Sequence, residues 1–265
     1  MSRLYAVLLA FLASAVLASA ADTPRDPLAR ARTLYNAGHF EAAITAADEA
    51  RATASRADSA DLIAARSYLE RFRDSRASDD LTSARARLAR LDPQKLSGRE
   101  RTEFLVGLGE TLFFDEAFGA AAEVFTDVLA HDDELPADGR ERVLDWWASA
   151  VDRDARARPE IDRHGAYQQV RDRMRDEIAT RPGSLAASYW LSAAARGQGD
   201  LQSAWNAAEA GWVRASLAPD RGAALRADLD RLVLQLLVPD RARVLGQPVD
   251  AVRAEWERFK ESWAR

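Results

Sequence analysis

The chain has 265 residues, with 37 basic against 42 acidic side chains, a net charge of -5 and no cysteine. A mildly acidic surface with both signs interspersed argues against nucleic acid as a partner. Without cysteine, neither a disulfide framework nor a thiol-linked lipid can form.

The first element is a leader. Arg3 supplies a positive start, Leu4 to Leu17 an uncharged apolar run, and Ala18-Ser19-Ala20 a small-residue end. That is the pattern of a secretory signal peptide over residues 1–20, cut after Ala20. The apolar run falls near the lower limit of about 17 residues for spanning a bilayer, so a retained anchor is the alternative. After cleavage no stable membrane insertion is expected. The remainder, residues 21–265, is then one charge more negative than the whole chain and is expected to work in an oxidising compartment such as the periplasm.

Beyond the leader nearly every segment reads as helix: Ala and Leu abound, charges are spread i to i+4, and strict alternation is absent. The helices are expected to be short, mostly of about 10 to 17 residues, because breaks recur. They fall at Gly38, Asp92-Pro93, Leu135-Pro136, Arg158-Pro159, Pro182-Gly183, Gly197 to Asp200, Ala218-Pro219 and Gly246 to Pro248. Ser97 with Glu100 predicts a capping box, and Asp200 and Asp250 are expected as caps. Between Arg140 and Thr180 the pattern predicts a helix to Arg156, an irregular Pro159 to Gly165 and a second helix from Tyr167. The end of the chain predicts a helix from about Arg221 to Val238 and a final one over 250–264. In the latter, Val252, Trp256, Phe259 and Trp263 share one stripe.

Three stretches lie over one another, beginning at Ala31, Gly109 and Ser192. After a turn each has a large residue (Phe40, Phe118 or Leu201), then Ala43, Ala121 or Ala204, then Ala47, Phe125 or Ala208. A weaker fourth copy carries Leu81 and Ala84. Small residues at a fixed period let paired helices approach closely, and pairs that leave an apolar face open must stack.

The frame resembles the tetratricopeptide repeat, a helix-turn-helix of about 34 residues. The best copy, about 102–135, carries Leu105, Leu108, Gly109, Leu112, Phe118, Ala121, Phe125 and Val128, with Glu116 where the family has a turn glycine. The copy at about 24–57 matches at Ala31, Leu34, Gly38, Phe40, Ala43, Ala47 and Ala50, with Pro27 at the usual aromatic position. The copy at about 185–218 carries Leu191, Gly199, Leu201, Ala204, Ala208 and Gly211. None has the whole signature, and the proline after the second helix is missing. The resemblance implies an all-α, short superhelical solenoid of antiparallel hairpins. Residues 221–264 would be its C-terminal capping helices, and its groove would take a protein partner.

Motifs of catalysis are sparse. His39, His131 and His164 have no partners at metal spacing, and no metalloprotease helix, serine-nucleophile elbow, phosphate loop or dinucleotide fingerprint occurs. The acidic run His131 to Glu134 lacks the order of a calcium loop and reads as a solvated connection. Glu103 and Glu110 read as solvated helix faces. No cofactor, metal site or catalytic residue is therefore expected.

Aromatic and arginine residues are the better candidates. Trp146 and Trp147 point about 100° apart on a helix, so one is expected to fill the core while the other reaches a groove. With Tyr189, Trp190, Arg153 and Arg156 they form the candidate partner-binding set, since aromatics and guanidinium groups anchor such contacts. The interleaved aspartates predict that much of the arginine charge is locally neutralised. The expected function is a non-catalytic, protein-binding scaffold of the bacterial cell envelope. The alternatives are an architectural protein that self-associates through its C-terminal helix, around Trp256 and Trp263, and an enzyme or enzyme subunit acting on an envelope polymer. A buried carboxyl with a raised pKa would be the mark of the last.

Overall fold

Local signals set where the helices begin. Asp26 accepts a hydrogen bond from the Leu28 amide, and Pro27, whose missing N–H costs nothing at a helix start, opens α1 (Pro27–Asn36). Ser97 and Glu100 form the reciprocal capping box at the head of α5 (Gly98–Phe114). Asp200 accepts from the Ser203 amide and starts α10 (Leu201–Arg214). Asp250 caps nothing: Pro248 stands at the N-cap of the last helix and Asp250 falls inside its first turn.

The computed structural model describes residues 26–131, 135–218, 220 and 222–263. The predicted leader, residues 1–20, lies outside them, as do Asp132 to Glu134, Arg221 and the last two residues. Among the described residues the chain is all-α, without strands. The remaining early helices are α2 (Phe40–Arg51), α3 (Ala57–Ser75), α4 (Ser78–Leu88), α6 (Phe118–Ala130), α7 (Ala137–Arg156), α8 (Glu160–Thr180) and α9 (Leu185–Gly197). After α10 come α11 (Ala223–Leu232), a π-helical turn (Val233–Leu237), α12 (Val238–Leu245) and α13 (Val249–Ser262).

Packing is stepwise. Each of α1 to α10 packs on its neighbour in the chain, and α1, α3, α5, α7 and α9 each pack on the next odd-numbered helix as well. Three of the connections share one backbone design. In α1–α2 the amides of Ala37, Gly38 and His39 return to the carbonyls of Thr33, Tyr35 and Leu34. Asp115, Glu116 and Ala117 repeat these bonds onto Thr111, Phe113 and Leu112, and Gln198, Gly199 and Asp200 repeat them onto Ala194, Arg196 and Ala195. The middle residue of each trio is left-handed, at φ +77° for Gly38, +62° for Glu116 and +80° for Gly199. This satisfies the last carbonyls of the first helix in each pair. Glu116 adopts the glycine conformation without being glycine, and Arg76, at φ +59°, does so between α3 and α4.

The alanine frame is the contact surface. Ala31, Ala43, Ala47, Ala121, Ala204 and Ala208 are all completely enclosed. A Cβ placed on Gly109 would lie 2.6 Å from the ring of Phe125, itself enclosed. Gly109→Ala is therefore expected to destabilise the chain by about 1–3 kcal/mol, since that ring has nowhere to go. A thermal midpoint unchanged from wild type would show that the α5–α6 distance is set elsewhere.

Two boundaries differ from the sequence expectation. Pro159 is not followed by an irregular stretch; it stands at the N-cap of α8, which runs from Glu160 and carries His164 and Gly165 within it. Proline breaks the preceding helix and is tolerated at the start of the next, and only the three residues Ala157 to Pro159 separate α7 from α8. The predicted helix to Val238 does not end there. Pro239 cannot donate to the Gln235 carbonyl, and the register loosens instead, with the Val238 amide bonding the Val233 carbonyl five residues back. The backbone thus passes through the proline to Leu245. In α13, Val252 and Trp256 are fully enclosed, Phe259 is partly covered and Trp263 is 53% exposed.

Candidate functional site

The odd-numbered helices line three recesses. The largest, about 620 Å³, lies between α7, α9 and α11, and two adjoining ones of about 530 and 180 Å³, which share Tyr35, Asn36, Arg66, Arg99 and Glu103, lie at α1, α3 and α5. Arg153, Arg156, Tyr189 and Trp190 line the largest, four of the six candidates drawn from the sequence. Asp145 lines it and accepts the Trp190 indole N–H at 2.7 Å. Burial pushes the Asp145 carboxyl up, and that indole bond opposes the shift without cancelling it. Trp190 is thus held by its polar edge in the wall and is buried, whereas Tyr189, ring edge against it at 5.4 Å, stays half-exposed. Leu236, 40% exposed on the π-helical turn, adds an apolar side to the same recess.

The arginines here are held rather than free. Arg156 pairs with Asp152 at 2.6 Å, and Arg231 on the facing helix pairs with Asp228 at 3.1 Å. Arg153 lies over the rings of Phe113 and Phe118 at 5.3 and 5.4 Å. Of these, Arg153 and Arg156 keep exposed donors that a ligand carboxylate could use. The other arginines of the series behave as the interleaved aspartates predict. Arg158 pairs with Asp154, Arg175 with Asp172, and buried Arg171 with Gln198 and Asp200.

The double tryptophan divides, but neither ring enters this recess. Trp147 belongs to the core: it is 2% exposed, and its indole N–H donates to the Thr126 hydroxyl on α6 at 2.9 Å. The expectation that it could serve as a surface anchor is corrected on that ground. Trp146 is half-buried, packs edge-on against Phe113 at 4.6 Å, and walls the smallest of the three recesses.

That smallest recess, about 180 Å³ between α1, α3, α5 and the start of α7, holds the residue the sequence misplaced. Glu110 is not on a solvated face but 9% exposed, and burial raises its pKa to about 7. Its Oε1 accepts from Arg73 at 3.3 Å, while the other terminal nitrogen of Arg73 binds Glu70. Glu70 also accepts from the Tyr35 hydroxyl at 3.3 Å and lies 3.9 Å from Arg142. Burial pushes the Tyr35 phenol up to about 12, so it stays a donor. Glu103, the companion residue, is partly covered and pairs with Arg66 at 2.7 Å and Arg99 at 3.1 Å. One signal in the sequence pointed to Glu110: three and four residues either side stand Val106, Gly107, Phe113 and Phe114, a wholly apolar frame on one helical face.

His39 and His131 are exposed, and His131 Nδ1 lies 3.0 Å from the Asp127 carbonyl. Among the described residues no three His, Asp or Glu side chains are grouped to hold a metal, and no helix is long and apolar enough to cross a membrane. The rest of the acidic run after His131 lies outside the described residues. Compared with protein-family models, with curated proteins and with solved structures, the chain matches none.

Proposed function

We propose that this chain is a tetratricopeptide-like solenoid of the bacterial periplasm whose odd-numbered helices bind an extended segment of a partner protein. The observation that carries the reading is the recess between α7, α9 and α11. It gathers Arg153, Arg156, Tyr189 and Trp190 from two helices that are far apart in sequence, beside an exposed Leu236. Half-exposed aromatic and apolar surface next to guanidinium groups suits a peptide with alternating apolar and acidic side chains. The recurring left-handed turn and the enclosed alanines support the repeat assignment, and the leader pattern supports export.

Glu110 is the one observation that favours an enzyme, because a carboxyl titrating near neutrality is what general acid catalysis uses. Against that, the neighbouring Glu70 is occupied by Arg73, Tyr35 and Arg142 and is no free nucleophile. Self-association through the C-terminal helix would use Trp263 and Val249 with Val244 and Leu245 just before it, since Trp256 is enclosed.

The test is site-specific photocrosslinking in cells. A photoreactive residue at Tyr189 is expected to trap one discrete partner, and Arg153→Ala to abolish that adduct. The same group at Ile161, 82% exposed on α8, is expected to trap none. Equal capture at both positions, or capture of the chain itself alone, would overturn the groove reading.

A further inference from the structure

The 180 Å³ recess is distinct from the Tyr189 recess and carries a different chemistry. Every guanidinium around it already has a carboxylate. Arg66 and Arg99 share Glu103, Arg142 reaches Glu70, and Arg73 is divided between Glu70 and Glu110. Glu110 therefore has half of one cation, through Oε1. Among the described residues no hydrogen bond reaches its Oε2, although the side chain is nine-tenths buried and lines the cavity. Trp146 lines the same cavity and offers a π face or edge, and Asp138 closes the charge count on the α7 side.

We propose that this recess is a subsite for one cationic side chain of the bound segment, a lysine ammonium set between Glu110 Oε2 and the Trp146 ring. The proposal rests on the reading that the odd-numbered helices bind an extended segment. Its chemistry follows from three facts. The recess beside Glu110, about 180 Å³, has room for one side-chain tip. An ammonium is a compact charge with three donors, which fits a site where forked guanidinium partners are already in place. An indole beside a desolvated cation adds attraction of its own.

The charge count does not change on binding. Ringed by Glu70, Glu103, Asp138, Arg66, Arg73, Arg99, Arg142 and the neutral Tyr35, Glu110 holds a proton near neutral pH in the empty site. An arriving ammonium takes the place of that proton, so the net charge of the recess is the same before and after. Binding is then linked to release of one proton.

The experiment uses the full chain without its leader, with carboxyl-13C glutamate, and titrates N-acetyl-lysine amide by NMR. N-acetyl-norleucine amide is the uncharged control. Affinity for the lysine probe is expected to rise about tenfold per pH unit up to the Glu110 midpoint and to level off above it, with the Glu110 signal shifting to the ionised position on binding. Glu110→Gln, checked for folding by circular dichroism, is expected to weaken the probe at least tenfold at pH 8. Tyr189→Ala is expected to leave it unchanged. Equal binding of the norleucine control, or unaltered affinity in Glu110→Gln, would overturn the subsite. Trapping of a partner at Tyr189 is read separately, so a failed subsite and a failed groove give different results.

Discussion

Trp147→Ala is expected to cost about 3–5 kcal/mol of stability, the range for removing a large enclosed aromatic. The indole is 2% exposed and sits where α6 and α7 face each other, so its loss leaves a cavity that the surrounding alanines are too small to fill. The Thr126 hydroxyl loses its indole donor as well, though it still donates to the Ala122 carbonyl at 2.9 Å. Urea unfolding is the measurement, with Trp147→Phe beside it. The phenyl ring restores most of the volume and none of the hydrogen bond, so the two variants divide packing from polarity. Trp146→Ala, taken from a half-buried position, is expected to cost less than Trp147→Ala. The opposite ranking would exchange the roles assigned to the two rings.

The second large effect is one of pH. Glu110 titrates at about 7 in the folded chain and at an ordinary carboxyl value when unfolded, because burial penalises its charged form. Between those values the folded chain holds a proton that the unfolded chain has released. Stability contributed by this group is therefore complete below about pH 4.5 and is lost as pH rises through about 7. Glutamine keeps the neutral state at every pH. Glu110→Gln is expected to match wild type at pH 4.5 and to exceed it at pH 8 by roughly 2–4 kcal/mol, since each tenfold loss of acidity on folding is worth about 1.4 kcal/mol. Unfolding midpoints at the two pH values check this. A gap of the same size at both would mean that glutamine acts by packing alone and that burial does not raise this carboxyl.

What could be read from the sequence was what is decided within one helix pair. The enclosed alanines, the turns at Gly38 and Gly199, and the box at Ser97 depend on residues a few positions apart. Their chemistry is printed in order along the chain. Glu116 shows the edge of that rule: it stands where the repeat has its turn glycine and takes up the left-handed conformation, of which the residue itself gives no sign. Pro159 and Pro239 were misread for the opposite reason. Each is a local break signal, and each was absorbed by an adjacent helix that had a use for it.

The candidate site divides along the same line. Four of the six residues converge because Tyr189 and Trp190 on α9 meet Arg153 and Arg156 on α7. Trp147 is the ring that turned inward because it continues α7's own buried stripe of Val143, Leu144 and Val151, and the Thr126 hydroxyl on α6 receives its indole N–H. Glu110 was missed because a carboxylate among charged neighbours in sequence looks solvated until α1, α3 and α7 close over it. Its apolar flanks at three and four residues were the better guide.

The stepwise packing has a mechanical consequence. Among the described residues all the larger contacts join helices that are neighbours or next-but-one neighbours, so none of these contacts clamps one end of the described chain against the other. Small rotations at successive interfaces then add along the length, and the whole can bend softly even though each joint is tight. A segment lying across α3, α5, α7 and α9 would touch several joints at once. It would act as a splint, stiffening the chain over its length, and its release would let that stretch flex again.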